Sequence, residues 1–165
     1  MRPILLAAAL AIAPLAAAAA LAPVAAVAAE PTPKDKGGVT VSQLRKIVEG
    51  LGYETKDGSG TESPNFEFTI NEGGLDIHIL AEESDSTNYI WLKLAFDKLK
   101  PGQNAATFLS QTGNIQPAHF YLYDDGTLGM AVAVENRGIT PAVVKRGIDI
   151  LVDGAVSTQD YWLTD

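Results

Sequence analysis

A chain of 165 residues with no cysteine and a formal net charge of −8 is long enough for one ordinary domain and short for two. The missing thiols exclude a disulfide framework, a lipid-anchored lipoprotein, a cysteine nucleophile and a cysteine-ligated metal. The acidic balance repels phosphate backbones and anionic lipid, so nucleic acid is not an expected partner.

The first 29 residues differ from the rest. Arg2 is their only charge, Ile4 to Leu21 is Ala, Leu and Ile broken by Pro14, and Val27-Ala28-Ala29 places small residues before Glu30. This is the pattern of a secretory signal peptide cleaved between Ala29 and Glu30. The apolar run is long enough to span a bilayer, yet no basic stop-transfer cluster follows it. The expected product is periplasmic or secreted, with no membrane anchor after cleavage. Without the leader, 11 basic residues stand against 20 acidic ones, a formal net charge of −9. Residues 30–38, rich in proline, glycine and charge, read as a linker, and residues 39–165 as the domain.

Within the domain, Thr40 and Gln43 have capping-box spacing. Val41, Leu44, Ile47, Val48 and Leu51 recur at helical spacing, and Gly52 follows as a left-handed stop. Tyr53 to Lys56 is a short strand, and Asp57 to Pro64 a polar loop. Phe66, Phe68 and Ile70 alternate, Asn71-Glu72-Gly73-Gly74 makes a hairpin turn, and Leu75, Ile77, Ile79 and Ala81 alternate again. Asn88 to Phe96 organises the chain. Ile90, Leu92, Leu94 and Phe96 fall on one strand face, with Tyr89 and Trp91 on the other. Such a strand belongs inside a sheet, not at its edge.

Pro101-Gly102 turns the chain, and Gln103 to Thr112 reads as a helix with Ala105, Phe108 and Leu109 on its apolar side. Pro117 to Tyr123 is a strand placing Phe120 and Leu122 opposite His119, Tyr121 and Tyr123. Asp124-Asp125-Gly126 is a hairpin signal. The returning strand carries Leu128, Met130, Val132 and Val134 on one face and the small residues Gly129, Ala131 and Ala133 on the other. Thr140-Pro141 opens the last helix, whose buried stripe is Val144, Ile148, Leu151 and Ala155. Gly147 and Gly154 lie on nearly one side of it, either meeting another backbone or weakening an exposed helix. Tyr161-Trp162 either extends this helix or folds back as an apolar clasp. The order helix, three or four strands, helix, two strands, helix predicts an α+β domain with an antiparallel curved sheet.

Leu44 to Tyr53, read Leu-Arg-Lys-Ile-Val-Glu-Gly-Leu-Gly-Tyr, followed by hairpin-linked strands, resembles the start of the YbjN family. The block Phe96 to Thr112 leading into the Phe120–Asp125 hairpin and a final helix resembles that family as well. The likeness spans Val39 to about Tyr161 and rests on element order and on Gly-Tyr after the first helix. It implies a fold similar to the chaperones of type III secretion, a role in regulation or protein binding, and a homodimer with a further protein partner unknown. It supplies no catalytic residues. The export signal departs from a cytoplasmic chaperone, and fold analogy alone is a weak warrant for function.

Chemistry-bearing residues are few. His78 and His119, with Asp76 or Glu82, have the types of a two-histidine, one-carboxylate metal site, but nothing in the sequence brings His119 to the others. Asp124-Asp125-Gly126 lacks the further acids of a calcium loop. No Gly-x-Ser-x-Gly elbow, phosphate loop or dinucleotide fingerprint occurs. No catalytic, metal or cofactor residue is therefore assigned, and the protein is not expected to be an enzyme. Tyr89, Trp91, Tyr121 and Tyr123 are the candidate interaction surface, each opposite its strand's main apolar set. An exposed aromatic face marks an interface, unless the last helix or Trp162 covers it. The other class of function is a periplasmic carrier of a small ligand or lipid, with a cavity between sheet and helix.

Overall fold

The structure is a computed structural model that describes residues 38–58 and 64–163. The expected signal peptide, nearly all of the linker and most of the polar loop before Pro64 lie outside the described residues.

Thr40 caps α1 (Val41–Gly50) as the spacing predicts. Its hydroxyl accepts from the Gln43 amide, and the Gln43 side chain answers at the Thr40 amide. Four strands follow: β1 (Thr55–Asp57), β2 (Asn65–Glu72), β3 (Leu75–Glu83) and β4 (Tyr89–Lys98). The β2–β3 hairpin turns on Gly73 and Gly74, both at positive φ, the two-residue geometry that favours glycine. Next come α2 (Ala105–Thr112), β5 (His119–Leu122), β6 (Thr127–Glu135), α3 (Pro141–Ser157) and the short α4 (Gln159–Trp162).

The strands form one antiparallel sheet in the order β1-β2-β3-β4-β6-β5. The fold is α+β, and β4 lies inside the sheet, as its two apolar faces require. Its pairing is uneven. Against β6 it runs from Tyr89↔Glu135 to Ala95↔Gly129, then shifts at a bulge before Lys98↔Thr127. Against β3 it covers only Glu83↔Ile90 to Leu80↔Lys93.

α1, α2 and α3 pack on a single face of the sheet. Leu44 and Val48 of α1, Phe108 of α2, and Val144, Ile148, Leu151 and Ala155 of α3 share one core with Phe66, Phe68, Ile79, Leu92, Met130 and Val132. Gly147 explains how closely α3 sits. A Cβ there would lie 2.8 Å from Val134 Cγ2 and 3.2 Å from Leu92 Cδ1. Both helix glycines are buried, and their neighbours are sheet and loop side chains. Neither the backbone contact nor the exposed helix of the sequence reading is what forms. Trp162 folds back: its ring lies 4.5 Å from Phe96, and its Nε1 donates to the Ala155 carbonyl at 3.0 Å.

Boundaries shift at three elements, and β1 covers Thr55–Asp57 rather than the expected Tyr53 to Lys56. α2 starts at Ala105 because the Asn104 side chain caps it, accepting from the Ala106 amide at 2.9 Å. Only Phe108 of α2 is buried. Ala105 is exposed and Leu109 is 72 % exposed, so the apolar side expected there is one residue wide. β5 is shorter than Pro117–Tyr123, because Ala118 is held in a turn by its amide's bond to the Ile115 carbonyl.

Candidate functional site

The sheet's second face carries no helix among the described residues. The last helix and Trp162 are both on the other side, so neither covers the aromatic set. Register brings that set together from two distant strands. Trp91 pairs with Ala133, Ala131 pairs with His119, and Gly129 pairs with Tyr121. Side chains of these rows stand on one face.

The rings form a continuous strip. Trp91 meets His119 edge-on at 6.1 Å, His119 meets Tyr121 at 6.3 Å, and Tyr121 meets Tyr123 at 5.0 Å. The Tyr121 hydroxyl donates to the Tyr123 hydroxyl at 2.7 Å. Gly129 makes this possible. Tyr121 lies flat over it, and a Cβ at Gly129 would fall 2.4 Å from the ring. Burial, and after it the Tyr123 hydroxyl, push the Tyr121 phenol far above the ordinary tyrosine range.

Beside Trp91, Lys93 Nζ sits 5.8 Å from the ring centroid and pairs with Glu82 across the β3–β4 ladder. Tyr89 shares the face, is 45 % exposed, and lies outside the chain of ring contacts. The structure therefore joins three of the four expected residues, adds His119, and leaves Tyr89 as a flank. His119 was legible only as a polar residue on the aromatic face.

His78 and His119 do not meet. His78 is on β3 and hydrogen-bonds Thr69 Oγ1 at 2.8 Å. β4 and β6 separate it from β5, roughly 14 Å at ordinary strand spacing. Among the described residues, no group of three or more His, Asp or Glu is arranged to hold a metal.

A cleft of about 420 Å³ opens where β3 and β4 part. Ile77 and His78 line one wall, Leu94 and Ala95 the other, and Ala155 and Trp162 the floor. Leu163, 56 % exposed, stands at its mouth. Sequence reasoning missed this cleft.

No protein-family model matches the chain, and no curated protein does. Sequence comparison thus adds nothing for the YbjN resemblance. Among solved structures, a chain of the HopA1–SchA chaperone–effector complex matches with a TM-score of 0.52 at 9 % identity, over 74 % of this chain and 92 % of that one. At that identity the likeness establishes the fold alone: the domain has the α+β architecture of a secretion chaperone, a six-stranded open antiparallel sheet backed by helices.

Proposed function

We propose that this chain is an exported, non-enzymatic, chaperone-like module of the YbjN kind that works by binding protein, a second copy of itself included. The observation that carries the reading is the helix-free sheet face with its strip of Trp91, His119, Tyr121 and Tyr123. Half-buried rings on a flat surface supply large, rigid contact area at low entropic cost. The fold's likeness to a chain of a chaperone–effector complex points the same way. Isologous pairing is the commonest route by which a small domain uses such a face. The leader-like pattern of the first 29 residues supports work in the periplasm or outside the cell.

Sedimentation velocity tests this. Wild-type protein is expected to be dimeric at micromolar concentration. Trp91→Glu puts a carboxylate beside Glu82 on the strip and should give a monomer with unchanged circular dichroism. A wild type that stays monomeric throughout removes the self-association. An unfolded Trp91→Glu makes Trp91 a core residue. A carrier of a small ligand or lipid is the second reading, favoured by the cleft beside α3, whose volume lies in the range of small-molecule sites. It ranks second because the cleft is open and its walls are strands. A ligand retained in native mass spectra would reverse that order.

A further inference from the structure

The β3–β4 ladder stops halfway, and the stop creates a docking place separate from the aromatic strip. Continued past Leu80↔Lys93, the register would match Ile79 with Leu94, His78 with Ala95 and Ile77 with Phe96; those pairs do not form. Both stretches are nevertheless held extended from behind. Leu75 to Ile79 pairs with β2 throughout, and Leu94 and Ala95 pair with Met130 and Gly129 of β6. Alternate residues of each stretch therefore direct N–H and C=O groups into the cleft rather than to a ladder partner. The bulge between Ala95 and Lys98 accounts for the divergence, since a bulge bends its strand.

Two facing strand edges present a row of donors and acceptors that another strand satisfies along its length. The side chains sort to match. Ile77, Leu94 and Phe96 face the helix layer, above Ala155 and Trp162. Asp76 and Asp97 are exposed on the open side, in a chain that is acidic overall. We propose that the cleft takes an extended segment of a partner protein as a seventh strand between β3 and β4. Its residues alternate apolar, toward Ala155 and Trp162, and basic, toward Asp76 and Asp97. A bound strand sets β3 and β4 about 9.6 Å apart, twice the usual spacing.

The probe is a capped octapeptide alternating Val and Lys, with two controls: Glu in place of Lys, and N-methylation of alternate amides. Amide exchange of the full chain is followed by NMR, and affinity by anisotropy of labelled peptide. In the free protein, the amides of Leu75–Ile79 and Leu94–Phe96 that point away from β2 and β6 should exchange fast. The Val/Lys peptide should slow them by at least about tenfold, and both controls should bind at least about tenfold more weakly, the scale of one lost hydrogen bond or charge pair. Slow exchange in the free protein means a closed ladder and overturns the proposal. So does unchanged exchange at millimolar peptide, or N-methylated peptide binding equally well, which would make the cleft a side-chain pocket for small ligands. Slowed exchange that falls instead on the amides of Trp91 and His119–Leu122 would put the peptide on the aromatic strip and overturn the cleft as its site.

Discussion

Asn136 is buried, and its amide group is fully used. Its Oδ1 accepts from the Val39 amide at 2.8 Å, and its Nδ2 donates to the carbonyls of Val39 and Thr87, each at 3.0 Å. Its own backbone amide donates to the Asn88 carbonyl at 2.7 Å. One side chain thus ties together the chain leading into α1, the β3–β4 turn and the end of β6. Thr87 sits at φ 60, a strained conformation for a threonine that this bond helps to hold. Asn136→Ala removes three hydrogen bonds worth about 1 kcal/mol each. Water reaches the partly buried partners, so the full penalty of stranded groups is not added. The expected loss is about 2–4 kcal/mol, a large share of an ordinary domain's stability, and a melting temperature lower by about 10 °C. Asn136→Asp separates hydrogen bonding from packing. Its carboxylate would face the two carbonyls that the amide served, so its folded pKa rises above the unfolded value of about 3.9. The variant's stability is then fully present below that value and falls as pH rises through the folded pKa. Urea unfolding at pH 4 and pH 7 checks this. An alanine variant within 1 kcal/mol of wild type refutes the clamp. An aspartate variant whose deficit is the same at both pH values refutes the carbonyl-facing geometry.

Gly129→Ala should lift the Tyr121 ring off the sheet with little loss of stability, because the ring is the movable end of a side chain. Tyr121 should then ionise closer to the ordinary tyrosine range, read as an earlier tyrosinate absorbance; an unchanged titration would mean that the ring does not rest on Gly129. Gly147→Ala presses on Val134 and Leu92. Overpacking of about 1–3 kcal/mol set against a helix gain of about 1 kcal/mol leaves a net loss of up to ~2 kcal/mol. Gly154→Ala meets the flexible Met130 thioether at 3.2 Å and should be milder, so the reverse ranking in thermal melts would contradict the packing described. Asp125 accepts from the Thr127 amide at 3.0 Å and pairs with Lys98; the bonds from Thr127, and after them Lys98, hold its carboxyl down at about 2 from an ordinary 3.8. The stabilisation from a depressed carboxyl is present above its unfolded pKa and is lost as pH falls through the folded one; the Thr127 amide shift of the folded protein should follow Asp125 with a midpoint at about 2, and a midpoint near 4 would refute this turn contact.

What was legible in the sequence was whatever one element decides by itself. Alternation gave both faces of β4, because side-chain direction has a period of two whatever the neighbours. Capping gave the starts of α1 and α3, and Gly73-Gly74 and Asp125-Gly126 gave the two hairpin turns they occupy. Long-range pairing was not legible. Nothing local in Thr127–Glu135 says that β6 slots between β4 and β5, yet that order is what brings His119 and Tyr121 beside Trp91. Asn136 reads as one more polar residue in Glu-Asn-Arg-Gly, since its three bonds reach residues 97 and 49 positions away. The cleft depends on where a ladder ends, which the bulge in β4 decides and composition does not. Leu109 looked like core because it neighbours Phe108, but α2 spans one strand and buries a single side chain.

The open face also shows how one sheet keeps such a surface in water. From β1 to β4 it carries ion pairs: Lys56 with Glu67 at 3.2 Å across β1 and β2, and Lys93 with Glu82 across β4 and β3. Along the middle of β6 the face carries Gly129, Ala131 and Ala133, a shallow row that ends at Glu135 opposite Tyr89. The rings of Trp91, His119 and Tyr121 lie against this row and against each other, so each buries much of its own area before any partner arrives. That lowers the driving force for indiscriminate association, because the free apolar area is far smaller than the ring count suggests. It also fixes the geometry a partner must meet, since the Tyr121–Tyr123 hydroxyl bond and the Gly129 seat hold the rings in place. A partner gains only the outward edges of preorganised rings, and little ordering cost is left to set against them. A surface built this way suits reversible binding of modest affinity better than an obligate interface, whose core would be more apolar and more deeply buried.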